Sequence, residues 1–165
     1  GQQYHKYNLH SKSVILDVEH NDYGGMKSMF QLDSDTYVAL DQISTRIDII
    51  QDDSISKTYD LSFIPYINQT FLNINFQGKL PNGNFIIIQN AYMHKDKLYL
   101  LTAKTGGEEG YRVNKVIVLD PLNPKNIEII SLEDRIYNSF AVIDEEKLCV
   151  FNNSRSSFQI IEIIR

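Results

Sequence analysis

A short apolar run, a polar turn and a second apolar run recur along this chain, and that repeat limits most what it can fold into. In one copy Phe30-Gln31-Leu32 leads through Asp33-Ser34-Asp35 into Tyr37-Val38-Ala39-Leu40. In another, Tyr92-Met93 leads through His94-Lys95-Asp96-Lys97 into Leu98-Tyr99-Leu100-Leu101. A third joins Phe140-Ala141-Val142-Ile143 to Leu148-Cys149-Val150-Phe151 through Asp144-Glu145-Glu146-Lys147. A fourth is read from Phe76-Gln77-Gly78 through Leu80-Pro81-Asn82-Gly83-Asn84 into Phe85-Ile86-Ile87-Ile88. Apolar runs this short, bounded by turn formers, predict β-hairpins. Asn82-Gly83 is a strong hairpin signal because both residues tolerate positive φ.

Composition agrees. The chain holds 22 Ile, 8 Val and 6 Thr against 4 Ala, with ten Tyr and eight Phe. Branched and aromatic side chains suit a pleated, half-buried surface, whereas Ala favours helices. No window of twelve or more residues carries an apolar face at i, i+3, i+4, i+7, so the chain is expected to be all-β.

Two of the hairpins are followed by two further strands. Ile47-Asp48-Ile49-Ile50 and Ile55 to Leu61 follow the first, joined at Asp52-Asp53-Ser54. Val116-Ile117-Val118-Leu119 and Ile127 to Leu132 follow the Tyr92 hairpin, joined by a segment with Pro121 and Pro124 where no ladder donor is needed. Four antiparallel strands in succession make one propeller blade of about 40 to 50 residues. Phe30 to Phe76 spans 46 residues and Tyr92 to Phe140 spans 48, but Phe76 to Tyr92 spans only 16. The Phe76 repeat is therefore expected to lack its outer strands, as an irregular blade or through a deletion relative to a longer relative. The last repeat gains a third strand from Ser157 to Ile164. Its fourth is expected either from Ser13 to Val18, which would close a ring and remove free edges, or not at all, with residues 13–18 a plain edge strand. Residues 1–165 are read as a single propeller-like domain, an incomplete or small ring, with residues 1–12 a frayed tail.

A net charge of −5 argues against a nucleic-acid partner held by a broad basic field. The longest apolar runs are three or four residues, so no transmembrane helix is expected. Cys149 is the single cysteine, which removes an internal disulfide framework, and its strand position predicts half of a buried face. His5, His10, His20 and His94 lack zinc-site spacing, and Asp33, Asp35, Asp52 and Asp53 lie in tight turns where Asp side chains accept from backbone donors. No metal or cofactor is expected. There is no nucleophile elbow and no other catalytic constellation.

The runs Lys97-Leu98-Tyr99-Leu100-Leu101 and Val116-Ile117-Val118-Leu119-Asp120-Pro121, with the return Asn126-Ile127-Glu128-Ile129-Ile130, resemble blades of TolB-like six- or seven-bladed β-propeller proteins. The resemblance touches roughly residues 26–164 and implies blade geometry without chemistry. It also implies a bacterial protein that is exported, periplasmic or at the cell surface, in some members as a lipoprotein. Such rings need about 300 residues, and about three and a half blades are counted here. A small four-bladed ring, an open half-ring that pairs with another copy, and a fragment all remain open. An open arc favours a homodimer. Gly1 reads as an added remnant ahead of a native Gln2, which leaves room for a trimmed export signal or anchor cysteine upstream.

In a propeller, the loops between second and third strands share one face with the loops between blades. Here they are Asp41 to Arg46, Thr102 to Arg112 and Asn152 to Arg155, each ending in arginine in a chain with only five. Arg46, Arg112 and Arg155 are therefore the candidate binding residues, set against solvated or structurally paired arginines. A guanidinium fork grips carboxylates and phosphates. Tyr66, in the segment from Ser62 to Thr70, and Tyr111, at the end of the Gly106-Gly107 loop, are candidates for stacking on a sugar or peptide, against the plainer roles of a packing cap and a blade turn. The expected function is a non-catalytic binding or scaffold module presenting a loop face to a protein or glycan. The alternatives are an enzyme-like propeller acting on glycans as a lyase or hydrolase, and a truncated product with no independent function.

Overall fold

The computed structural model describes residues 2–8, 13–20, 27–76, 86–104, 110–134 and 136–163. The chain divides into two compact units, Gly1–Asp60 and Leu61–Arg165. Strand is the dominant structure in both, all of it paired antiparallel within named sheets.

The first unit holds a hairpin of β1 (Gln2–Asn8) and β2 (Ser13–His20), and a four-stranded sheet of β3 (Lys27–Gln31), β4 (Thr36–Asp41), β5 (Arg46–Gln51) and β6 (Ser54–Asp60) in sequence order. β2 pairs with β1, from Ser13 opposite Asn8 to His20 opposite Gln2. Residues 2–8 form a strand rather than a loose tail, and residues 13–18 lie within β2, paired with β1 in a two-stranded sheet, as the plain edge strand of the two alternatives. A local hairpin partner a few residues away costs far less chain entropy than a partner at the other end of the sequence.

The β5–β6 connection is a two-residue turn with φ of 50° at Asp52 and 59° at Asp53. Two positive φ values in a row give the turn whose twist matches that of the flanking strands. Asp33 accepts from the amides of Asp35 (2.9 Å) and Thr36 (2.8 Å), and Asp41 from those of Ile43 (2.9 Å) and Ser44 (2.8 Å). These aspartates close turns, as the sequence suggested for Asp33.

The second unit opens with a 3-10 turn at Leu61–Phe63 and an α-helix, α1 (Pro65–Phe76). It continues with a sheet of β7 (Ile88–His94), β8 (Lys97–Lys104), β9 (Arg112–Leu119) and β10 (Ile127–Ser131), and a sheet of β11 (Tyr137–Asp144), β12 (Lys147–Asn152) and β13 (Ser157–Glu162). The helix corrects the reading of a Phe76 hairpin. Phe76 closes α1, and Ile88 begins β7 instead of ending a separate strand, so one seven-residue edge strand takes in residues read as parts of two hairpins. Asn82-Gly83 lies outside the described residues. Pro65 sits at the first helical position, where its missing N–H costs nothing. Ile64, Ile67 and Thr70 are fully buried, a narrow inward stripe interrupted by a polar residue, which explains why the apolar period gave no warning.

The core of this unit lies between its two sheets. Tyr99, Leu101 and Ala103 from β8, with Val116 and Val118 from β9, pack against Phe140 and Val142 from β11 and Leu148 and Val150 from β12. Full burial of each such side chain is worth about 1.5–3 kcal/mol. The rings of Tyr92 and Phe140 meet at 6.4 Å where β7 and β11 approach. β12 alternates strictly, with Leu148, Val150 and Asn152 buried and Cys149 and Phe151 half-buried. Cys149 is thus corrected to the outer face of its sheet, one residue out of phase with the core. No helix among the described residues is long and apolar enough to cross a membrane.

Candidate functional site

The three candidate arginines occupy equivalent places. Arg46 begins β5 and Arg112 begins β9, each the third strand of its sheet, and Arg155 lies in the turn that leads into β13. Their surroundings differ.

Arg46 belongs to the first unit. Its Nε lies 3.0 Å from Asp48 Oδ1, and its Nη2 donates to Thr58 Oγ1 at 3.3 Å. Thr58 in turn donates to the same Asp48 oxygen at 2.6 Å. The Asp48 side chain is 1% exposed and that of Arg46 27%. A carboxylate that deep needs a cation and hydrogen bonds to stay charged. Arg46 is therefore committed to its own sheet.

Arg155 grips Asp134 with two nitrogens, Nε at 3.0 Å from Oδ2 and Nη2 at 3.3 Å from Oδ1. Asp134 sits in the segment that joins β10 to β11. Its Oδ2 also accepts from Asn152 Nδ2, and its backbone N–H donates to the Tyr137 hydroxyl at 3.1 Å. Asn152 is fully buried; it donates to Gln159 Oε1 (3.1 Å) and accepts from the Arg155 amide (3.2 Å). The network fixes the β12–β13 turn against the inter-sheet segment. The Arg155 side chain stays 57% exposed above it. Partial burial, chiefly, pushes the Tyr137 hydroxyl above its ordinary pKa and keeps it neutral.

The sheet pairings bring the remaining candidates to this same end of the second unit. Arg112 lies opposite Lys104 across β8 and β9. The next residue, Val113, bridges Ile136, whose carbonyl accepts from the Asn153 amide at 3.0 Å. The start of β9 and the β12–β13 turn therefore flank one residue, Ile136. Tyr111 precedes Arg112 and is exposed; partial burial raises its pKa. The Gly106-Gly107 pair lies outside the described residues.

Tyr66 is bound to the same end through the helix. Its hydroxyl lies 2.7 Å from Thr102 Oγ1, and Lys115 Nζ stands 5.9 Å from its ring centre. Thr102 also donates to the Lys115 carbonyl at 3.1 Å. Burial pushes the Tyr66 hydroxyl far up from its ordinary pKa. With its polar tip engaged, Tyr66 anchors α1 on β8, and the exposed ring at this end is that of Tyr111.

Asp134, Asn152 and Lys104 were missed in the sequence. Asp134 meets its partners 18 and 21 residues away, beyond any local spacing rule. Thr102 had a signal: it is the one aliphatic hydroxyl in the apolar run from Leu98 to Ala103. No family model matches the chain, and no curated protein or solved structure matches it either.

Proposed function

We propose that the chain is a non-catalytic binding module made of propeller-like blades, which presents one sheet end to an acidic protein segment or acidic glycan. Consecutive four-stranded meanders in sequence order, β3 to β6 and β7 to β10, support the blade reading and the TolB-like resemblance behind it. That resemblance is also the ground for placing the protein outside the cytoplasm.

The observation that carries the ligand class is the facing of Lys104 and Arg112 across β8 and β9, with the exposed Arg155 guanidinium at the same end. Cationic side chains gathered at one sheet end suit a ligand that carries carboxylates or phosphates. Tyr111 adds an exposed aromatic ring on which a sugar or peptide group stacks. Asp134 holds the Arg155 fork in place, so less side-chain entropy is lost when an anion docks on its outer edge.

The test is binding to arrays of acidic peptides and acidic glycans, with product analysis on every glycan that binds. Retention that is salt-sensitive, lost in the Arg112→Ala/Arg155→Ala double variant and kept in Arg46→Lys fits this reading. Turnover of a glycan that the double variant abolishes assigns the enzyme-like alternative instead.

A further inference from the structure

We propose that β13 is the contact edge between two copies of this chain, paired antiparallel with itself about a two-fold axis near Gln159. The last strands of the four-stranded sheets, β6 and β10, resist such pairing. β6 carries Lys57 and Asp60 and has a register shift against β5 at Ile49/Ile50; β10 is five residues long and carries Glu128. Short length, charge and bulges are the usual protection of a free edge. β13 has none of the bulges: its register on β12 runs unbroken from Ser157 opposite Asn152 to Glu162 opposite Lys147. It has no lysine or proline, and its one charge, Glu162, stands at its last position. Among the described residues no strand pairs with its outer side.

The side chains agree with the backbone. Phe158 is 74% exposed and Ile160 57%, on the sheet face turned away from the core. Phe151 on β12 supports Phe158, ring centres 5.1 Å apart. With Gln159 on the axis, Phe158 of each copy faces Ile160 of the other, giving two aromatic–branched cross-strand pairs at about 5 Å between Cβ atoms. The charges tolerate the same symmetry: Glu162 ends the strand, so antiparallel pairing keeps the two Glu162 carboxylates at opposite ends of the contact, away from one another. An isologous two-fold contact closes on itself and leaves no further edge to propagate a fibre.

Light scattering and hydrogen exchange of the full chain across a concentration series test this. The expected result is a mass that doubles with concentration, with amide protection rising over Ser157–Glu162 in parallel. Ile160→Lys and Phe158→Glu, both at exposed positions, are expected to restore the monomer mass and remove that protection. Leu72→Lys, at an exposed position on α1, is expected to leave both unchanged. A monomer up to about 1 mM, an unaltered dimer in Ile160→Lys, or concentration-dependent protection over β1 and β2 in place of β13 overturns the proposal.

Discussion

Arg46 and Arg155 stand at matching places in two sheets, each paired with an aspartate, yet they solve different problems. In the first unit, the Asp48 carboxylate is almost wholly buried and Arg46 with Thr58 supplies what water would have supplied. In the second, Asp134 is 23% exposed and its partner Arg155 more so; the pair ties a linker to a turn while one side stays wet. The lesson is that chemical type and topological position do not fix a role. The depth of the carboxylate decides whether its arginine serves the fold or remains open to a ligand.

The sharpest way to break this contrast is to remove each cation. Arg46→Met strips the buried Asp48 carboxylate of its cation and is expected to cost about 3 kcal/mol of stability, measured by urea unfolding. Arg155→Met is expected to cost under about 1 kcal/mol, because an exposed pair is screened and its loss is met by water. Equal costs would show that depth does not separate the two sites. Asp134→Ala lies between them at about 2 kcal/mol, since it strips the buried Asn152 amide of an acceptor, and exchange should quicken in the β12–β13 turn. Thr102→Val is expected to cost about 1–2 kcal/mol by leaving the Tyr66 hydroxyl without its partner. The smallest effect belongs to Asp33, whose carboxyl is held below its ordinary value first by the Asp35 amide and then by Thr36. A depressed carboxyl stabilises above its unfolded value of 3.8 and loses that contribution as pH falls through the lower folded value. Asp33→Asn should therefore melt below the native chain at neutral pH, with the gap closing in acid; a gap that persists at pH 2 would reject the amide bonds as its cause.

Much of the strand layout was legible because it is local. Asp33-Ser34-Asp35, His94 to Lys97 and Asp144 to Lys147 each divide two apolar runs, and a turn needs only its own residues to form. The helix was not legible. Ile67, Thr70 and the asparagines of α1 have weak helical preference, and the segment is helical because its buried stripe and Tyr66 find β8. The candidate end of the second unit was half legible. Counting arginines in equivalent loops located Arg112 and Arg155, since topology repeats. It also returned Arg46, because no pattern of neighbours in sequence reports how deep Asp48 lies. Asp134 and Asn152 meet only once two sheets stack, so their role belongs to tertiary structure alone.

Thr102 carries a further consequence. One hydroxyl in the middle of the second unit meets the Tyr66 phenol and the Lys115 carbonyl, so helix and sheet share a polar rivet there. A helix of poor intrinsic preference secured in this way should detach from β8 before the sheets themselves come apart. The amides of Asn68 to Leu72 would then exchange through a partial opening that costs less than unfolding, and the surface beneath them would be the first part of the interior to meet water.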